Sequence, residues 1–323
     1  MNIKWKYNSN YFKPVNGKLD EKQAYIFGWI EADGCVYHSH NSHFLELTLK
    51  NTQSNRKILD FIANELCIGG KRLYEGRTRD TIGLVIHNKT IVHDLETLGC
   101  VQRKTKILKP PWVEMNRKAF FKYLLGYMEA DGCVTYANCG MGKPLLSISI
   151  AGTREICEWL KDRVTVYCGM RKGFIYKYPR LSNLCSLVYL GKAAELVREF
   201  MYQNSFCWHE EKRRKAYASL RGEKSGLFSY KDIKRVVGIP SWDVNYYIKA
   251  KLLHPVQIDR KKFYKVKEIL SCLNYISERK AKVILGVSQR MVQKIAQEYN
   301  IPWVKRGRCK LYDKFVIENL FLK

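Results

Sequence analysis

Leu45, Leu47 and Leu49 alternate with Glu46, Thr48 and Lys50, and Ile82, Leu84 and Ile86 alternate in the same way farther along the chain. This two-residue period predicts half-buried strands with one apolar and one polar face. The pattern returns at Leu146, Ile148 and Ile150, interleaved with Ser147 and Ser149. Between these strands, SNRKILDFIANEL and TREICEWLKDRV carry apolar residues at helical spacing, and their leading Ser54 and Thr153 are the expected N-caps.

The pattern recurs because part of the chain is duplicated. AYIFGWIEADGC at 24–35 and KYLLGYMEADGC at 122–133 are identical at seven of twelve positions, with an offset of 122 − 24 = 98. The segments after each copy come in the same order, so the unit reads αββαββα, twice. Gly28 and Ala32, like Gly126 and Ala130, stand at i and i+4. Each helix therefore has a strip without side-chain bulk, and two such strips pack backbone against backbone. The repeated helices are expected to form the seam between two halves.

Each repeated helix ends at Asp-Gly, with Gly34 and Gly132 expected as left-handed caps. An acid at a helix C-terminus opposes the dipole there, and two such placements at equivalent positions call for a cation. Asp33 and Asp131, with neighbouring carbonyls, would make a hard oxygen site for Mg²⁺. Because the seam joins the two helix ends, two or three ions are expected there, as in two-metal phosphodiester hydrolysis.

Charge adds a partner. With 57 Lys+Arg against 30 Asp+Glu, the formal charge is +27 and dispersed along the chain, which predicts a polyanion such as nucleic acid. Lys50, Arg72, Arg77 and Arg79 are assigned to the polar face of the first half. Arg171, Lys172, Lys177 and Arg180, with Tyr176 and Tyr178, are assigned to that of the second. Such a sheet face fits a DNA major groove. His38, His40 and His43 are expected to be phosphate-facing or solvated rather than metal ligands. No apolar run approaches the roughly 18 residues of a spanning helix, and the N-terminus lacks a signal-peptide core. The 11 cysteines form no CxxC pair and are expected as reduced, mostly buried thiols. The expected location is intracellular, in cytoplasm or organelle matrix, not secreted and not membrane-bound.

Residues 222–323 hold 22 Lys+Arg and 9 Asp+Glu, a net 22 − 9 = +13. Two helix-turn-helix patterns, each with a basic wing, succeed one another there, turning at Val237-Gly238-Ile239 and Leu285-Gly286-Val287. Ser241 and Ser288 are expected to cap the second helices. Asn245 and Lys261 are the candidate contacts of the first module, and Gln289, Arg290, Gln293, Lys294, Arg306 and Arg308 those of the second. The expected division is 1–109 and 117–221 for the two halves, 110–116 for the linker, and 222–270 and 271–323 for the two modules.

IFGWIEADG (26–34) and LLGYMEADG (124–132) resemble the two motifs of a single-chain LAGLIDADG homing endonuclease, and the resemblance spans about residues 20–220. It implies an α+β fold: two pseudo-symmetric αββαββα half-domains forming a DNA-binding saddle, followed by a mostly helical winged helix-turn-helix region. The implied activity is Mg²⁺-dependent cutting of both strands of a long asymmetric site, leaving 3′ overhangs, with Mn²⁺ as a substitute, by a monomer with internal pseudo-twofold symmetry. By the same resemblance, Asp33 and Asp131 are the metal-binding acids, and Ala32 and Ala130 lend backbone carbonyls. Gln53 in LTLKNTQSNRK orders water, and its counterpart falls around Ala151 to Thr153. Lys104 and Lys212 are the basic residues of the two centres; each would stabilise the phosphate or polarise water, or simply contact phosphate. An RNA-binding intron maturase and a catalytically inactive DNA-binding regulator remain alternatives on the same fold. Protein-splicing residues are not evident, so an intein is not expected.

Overall fold

The structure, a computed structural model, describes residues 6–39, 42–68, 73–76, 80–102, 107–137, 144–169, 173–178, 183–217, 227–237, 239, 241–258, 261–306 and 309–319. The chain divides into two compact units, 1–167 with 172–220, and 168–171 with 221–323.

In the first unit, β1 (Lys6–Tyr7) precedes the first half: α1 (Glu21–Asp33), β2 (Cys35–His38), β3 (His43–Lys50), α2 (Gln53–Leu66), β4 (Cys67–Ile68), β5 (Tyr74–Glu75), β6 (Thr81–Ile86) and α3 (Lys89–Thr97). The second half repeats this order with α4 (Arg117–Asp131), β7 (Gly132–Ala137), β8 (Leu145–Thr153), α5 (Arg154–Cys168), β9 (Phe174–Lys177), β10 (Leu184–Leu190) and α6 (Lys192–Tyr202), and adds α7 (Glu210–Tyr217). Both sheets are antiparallel and four-stranded, ordered β2-β3-β6-β5 and β7-β8-β10-β9. The apolar alternation sets which face is inside. Leu45, Leu47, Leu49, Ile82, Leu84 and Ile86 are buried in one sheet, and Leu146, Ile148 and Ile150 in the other.

The helix caps bear on the sequence expectations. Helix α2 starts at Gln53 and is capped by Thr52, whose hydroxyl accepts from Asn55 N, while Ser54, the expected cap, is buried inside the first turn. Thr153 does cap α5, accepting from Ile156 N at 3.3 Å while donating to Leu108 O at 2.6 Å. Matching the caps pairs Thr52-Gln53 with Thr153-Arg154. The residue equivalent to Gln53 is therefore Arg154, one place beyond the expected Ala151 to Thr153, and it is paired with Glu158 at 2.7 Å.

The second unit contains a duplication of its own. β11 (Leu227–Ser229), α8 (Tyr230–Asp232) continued by a π turn at Ile233–Val237, α9 (Ser241–Lys249), β12 (Val256–Ile258), β13 (Lys261–Lys265) and α10 (Val266–Leu273) form the first module. β14 (Tyr275–Ser277), α11 (Glu278–Leu285), α12 (Gln289–Glu298), β15 (Trp303–Arg306), β16 (Cys309–Asp313) and α13 (Lys314–Asn319) form the second. Their sheets share one order, β11-β13-β12 and β14-β16-β15. Gly286 ends α11 in the left-handed conformation at φ +63°, and Ser288 caps α12 by accepting from Met291 N. α9 already includes Ser241. Ile276, Ala281, Leu285, Val292, Ala296 and Ile301 close the second module's core. Among the described residues no helix is long and apolar enough to cross a membrane, and no disulfide joins the described cysteines.

Candidate active site

The seam is built as the duplication requires. A Cβ added to Gly28 would lie 2.3 Å from Tyr123 O and 2.9 Å from Tyr127 N; one added to Gly126 would lie 2.1 Å from Tyr25 O and 3.1 Å from Trp29 N. The two contact sets are related by the 98-residue offset, so α1 and α4 meet backbone to backbone about a local twofold. Tyr25, Trp29, Tyr123 and Tyr127 are fully buried around this crossing.

Polar side chains cross the seam as well. Tyr25 Oη donates to Glu129 Oε2 at 2.8 Å, and Tyr123 Oη donates to Glu31 Oε2 at 2.5 Å. Each motif glutamate therefore receives the tyrosine of the opposite helix. Both glutamates are buried, and burial drives both phenols well above their ordinary range. Burial also pushes the Glu129 carboxyl up to about 7, against hydrogen bonds from His209 N and Tyr25 and the nearby Lys212 charge. The sequence signal for this pair is a Tyr and a Glu six residues apart in both copies.

Beyond the crossing the helices run straight into strands. Gly34 and Gly132 are extended, at φ −74° and −88°, not left-handed as expected. The reason for glycine is space: a Cβ would lie 2.7 Å from Ile30 O at Gly34 and 2.4 Å from Met128 O at Gly132. This sharp helix-to-strand passage leaves Asp33 and Asp131 exposed and Ala32 and Ala130 half-buried at the paired helix ends.

A side-chain cation reaches the end of α4. Lys212, on α7, donates to the carbonyls of Met128 (3.3 Å), Glu129 (2.6 Å), Ala130 (3.1 Å) and Gly132 (2.8 Å). Its ammonium caps the C-terminus of α4 and offsets the negative end of that helix. Burial lowers its pKa, while the charges of Glu129, Asp33, Cys133 and Asp131 act to raise it. One ammonium thus lies in the field of both motif aspartates. Glu129 holds the start of α7 in turn, because its Oε1 accepts from His209 N at 2.8 Å. The Ala130 carbonyl, expected to be open for a metal, already has Lys212 as a partner.

Gln53 is exposed at the first turn of α2. Lys104 lies outside the described residues, as do Arg72, Arg77, Arg79, Arg171, Lys172, Arg180, Arg308 and His40. His38 is exposed at 52% of its side chain, with its Nδ1 beside the carboxylate of Glu96 and the amide of Gln102.

The described parts of the polar faces are hydroxyl-rich and aromatic, with Lys50 exposed on the first. In that sheet Glu46 accepts from Tyr74 Oη at 2.6 Å and Thr48 Oγ1 at 3.0 Å. In the second, Tyr176 sits opposite Ser186 and is 57% exposed. Lys177, expected on the same face, is opposite the buried Cys185. Successive strand residues point to opposite faces, so Lys177 stands on the helix side of the edge strand.

Asn245, Lys261, Gln289, Arg290 and Lys294 are exposed, Gln293 is half-buried, and Arg306 lies in β15. Among the described residues no group of three or more His, Cys, Asp or Glu gathers as a metal centre. The donor set at the seam is two carboxylates with backbone carbonyls, hard oxygens that suit Mg²⁺ or Mn²⁺.

No protein-family model and no curated protein matches the chain. Solved structures do. I-LtrWI, described as a LAGLIDADG homing endonuclease bound to target DNA, is similar at 14% identity over 57% of this chain and 80% of that one, with a TM-score of 0.34. The meganuclease I-SmaMI, bound to uncleaveable DNA, is similar at 14% identity over 61% and 88%, with a TM-score of 0.41. I-DmoI with its nicked target DNA and manganese is similar at 13% identity over 58% and 97%, with a TM-score of 0.39.

Proposed function

We propose that this chain is a site-specific double-strand DNA endonuclease of the LAGLIDADG type, hydrolysing one phosphodiester in each strand of a long asymmetric target. What carries this reading is the pair of Asp-Gly-ended helices, locked backbone to backbone at Gly28 and Gly126, with the half-buried Lys212 ammonium on the carbonyls at one of their ends. Acids at two adjoining helix ends oppose both dipoles, which favours a cation bound between them.

Asp33 and Asp131 would hold the divalent ions, Mg²⁺ or Mn²⁺, with Ala32 lending its carbonyl and Ala130 only the lone pair that Lys212 leaves open. Bound there, such an ion supplies Lewis-acid stabilisation of the phosphate. Gln53 orders the attacking water in the first centre, and Arg154 occupies its place in the second. Lys212 fixes the end of α4 behind Asp131, and its charge lowers the cost of negative charge developing nearby. Water adds at phosphorus, the bond to the 3′ oxygen breaks, and that oxygen takes up the proton. Lys104 fills the corresponding role in the first half. The sheet faces, with Lys50, Tyr176 and the basic residues assigned to them from the sequence, contact the duplex. The C-terminal modules lengthen the recognised site, and the protein acts as an intracellular monomer.

A cleavage selection on a large DNA library with Mg²⁺ tests this reading, using the wild type and the Asp33→Asn, Asp131→Asn pair. One long site cut by the wild type and only bound by the variant is expected. Equal retention of DNA or structured RNA by both proteins, with no cleavage, would leave a binding protein or an intron maturase instead.

A further inference from the structure

The two winged modules share one topology but differ in what their second helices leave available. In α9, Tyr246 Oη donates to Lys310 O at 2.8 Å and Tyr247 Oη donates to Tyr275 O at 2.9 Å. Both acceptors belong to the following module. Asp243 and Val244 are buried, and Tyr246 and Tyr247 tie the first module's helix to its neighbour. In α12, by contrast, Arg290 and Lys294 are exposed with no such duty.

A single carboxylate organises that second helix. Glu278, the first residue of α11, accepts from Gln289 Nε2 at 2.5 Å with one oxygen. With the other it accepts from Gln293 Nε2 at 2.7 Å and from Tyr312 Oη at 3.2 Å. Gln289 and Gln293 are four residues apart, on one face of the helix. A carboxylate only accepts, so it fixes each amide the same way round, with the NH₂ group toward Glu278. Each Oε1 then points away, accompanied by the second N–H of the amide. An acceptor beside a donor is the pattern that pairs with the N6 and N7 edge of adenine.

We propose that Glu278 is the positioning residue that aims Gln289 and Gln293 at base edges, making the second module the one that reads sequence and the first its anchor. This rests on the reading of the C-terminal unit as a DNA-binding region. Arg290 and Lys294, alternating with the glutamines along the helix, supply phosphate contacts without base preference.

The test is a binding selection with the full chain, without divalent ion, on DNA randomised beside the cleavage site. Four proteins are compared: the wild type, Glu278→Gln, the Gln289→Ala, Gln293→Ala pair, and the Arg290→Ala, Lys294→Ala pair. The wild type is expected to prefer adenine at two flanking positions. Glu278→Gln and the double-glutamine variant should each flatten that preference by roughly tenfold per position, with the salt dependence of binding unchanged. The Arg290, Lys294 variant should weaken binding to every sequence and reduce the salt slope by about 1 per residue. If the charge variant behaves so while either of the other two keeps the wild-type base profile, the positioning role is wrong. If the charge variant changes neither affinity nor slope, the unit does not bind DNA and the proposal falls with that reading. Gln289 is exposed and Gln293 half-buried, outside the module's core, so the double-glutamine variant decides the matter even should Glu278→Gln unfold the module.

Discussion

Replacing Gly126 by alanine puts a methyl group 2.1 Å from Tyr25 O, and replacing Gly28 puts one 2.3 Å from Tyr123 O. Ordinary contact begins near 3.4 Å, so the helices must separate by 3.4 − 2.1 = 1.3 Å or 3.4 − 2.3 = 1.1 Å. The obstacle in each case is backbone of a buried helix, which has no rotamer to escape into. Overpacking of this kind costs about 1–3 kcal/mol. For a unit of this size, about 2 kcal/mol lowers Tm by roughly 4–8 °C. The two substitutions share one gap, so once either has opened the seam the other fits more easily. The double variant should fall short of the sum of the single effects by about 0.5 kcal/mol or more. Asp33 and Asp131 lie five residues beyond the crossing on these same helices. A displacement near 1 Å there should cost cleavage on the order of a hundredfold. Urea unfolding of the three variants, with cleavage rates measured well below their melting temperatures, decides the point. Strict additivity, or a Gly126→Ala protein with unchanged stability and rate, would refute the close-packed seam.

Lys212→Met leaves four carbonyls at the end of α4 without their cation and should cost about 1.5–3 kcal/mol in denaturant unfolding, with a loss of cleavage that Lys212→Arg partly restores. Glu129 has a folded pKa of about 7, above the ordinary 4.5, so its protonated form is the one the fold prefers. Its contribution is fully present below pH 4.5 and is lost as pH rises through 7. Stability of the wild type minus that of Glu129→Gln should therefore fall by about 3 kcal/mol across that window, and a flat difference would count against the buried carboxyl. Gly286→Ala meets nothing within 4 Å but must adopt φ +63°. The strain should cost about 1 kcal/mol, read as a lower melting temperature of the C-terminal unit.

Much of this architecture is legible in the sequence, because duplication doubles every signal. The strand alternation, the paired Asp-Gly ends and the Gly28/Gly126 strips each occur twice at fixed spacing, and chance seldom repeats a pattern in register. The hidden part is tertiary. The approach of Lys212 to the α4 carbonyls joins residues about 80 apart, and no local pattern encodes it. The face of Lys177 is hard to assign from sequence because its basic neighbours in the turns suggest one continuous surface, whereas the two-residue period divides them. Gly34 and Gly132 are necessary glycines, but not for the reason their position after a helix suggests. A helix that passes directly into a strand needs room beside its own last turn, not a left-handed residue. The Glu278 contacts are equally hidden, since a glutamate heading a helix reads as a favourable dipole partner and nothing more.

Lys122 bears on the history of the molecule. Its ammonium reaches Met201 O and Ser205 Oγ, tying α4 to the end of α6, whereas the equivalent position in the first half is Ala24, a buried methyl group. The halves have therefore diverged in the interior, not only on the surfaces that meet a ligand. A pair of identical subunits joined into one chain is free to revert to the separate state while its copies stay interchangeable. Once a charged side chain in one copy has partners that the alanine of the other copy cannot use, neither half is a spare for the other. Fusion has by then become a commitment: a duplicate of the second half alone would carry two such lysines, one in each half, and a duplicate of the first would carry none.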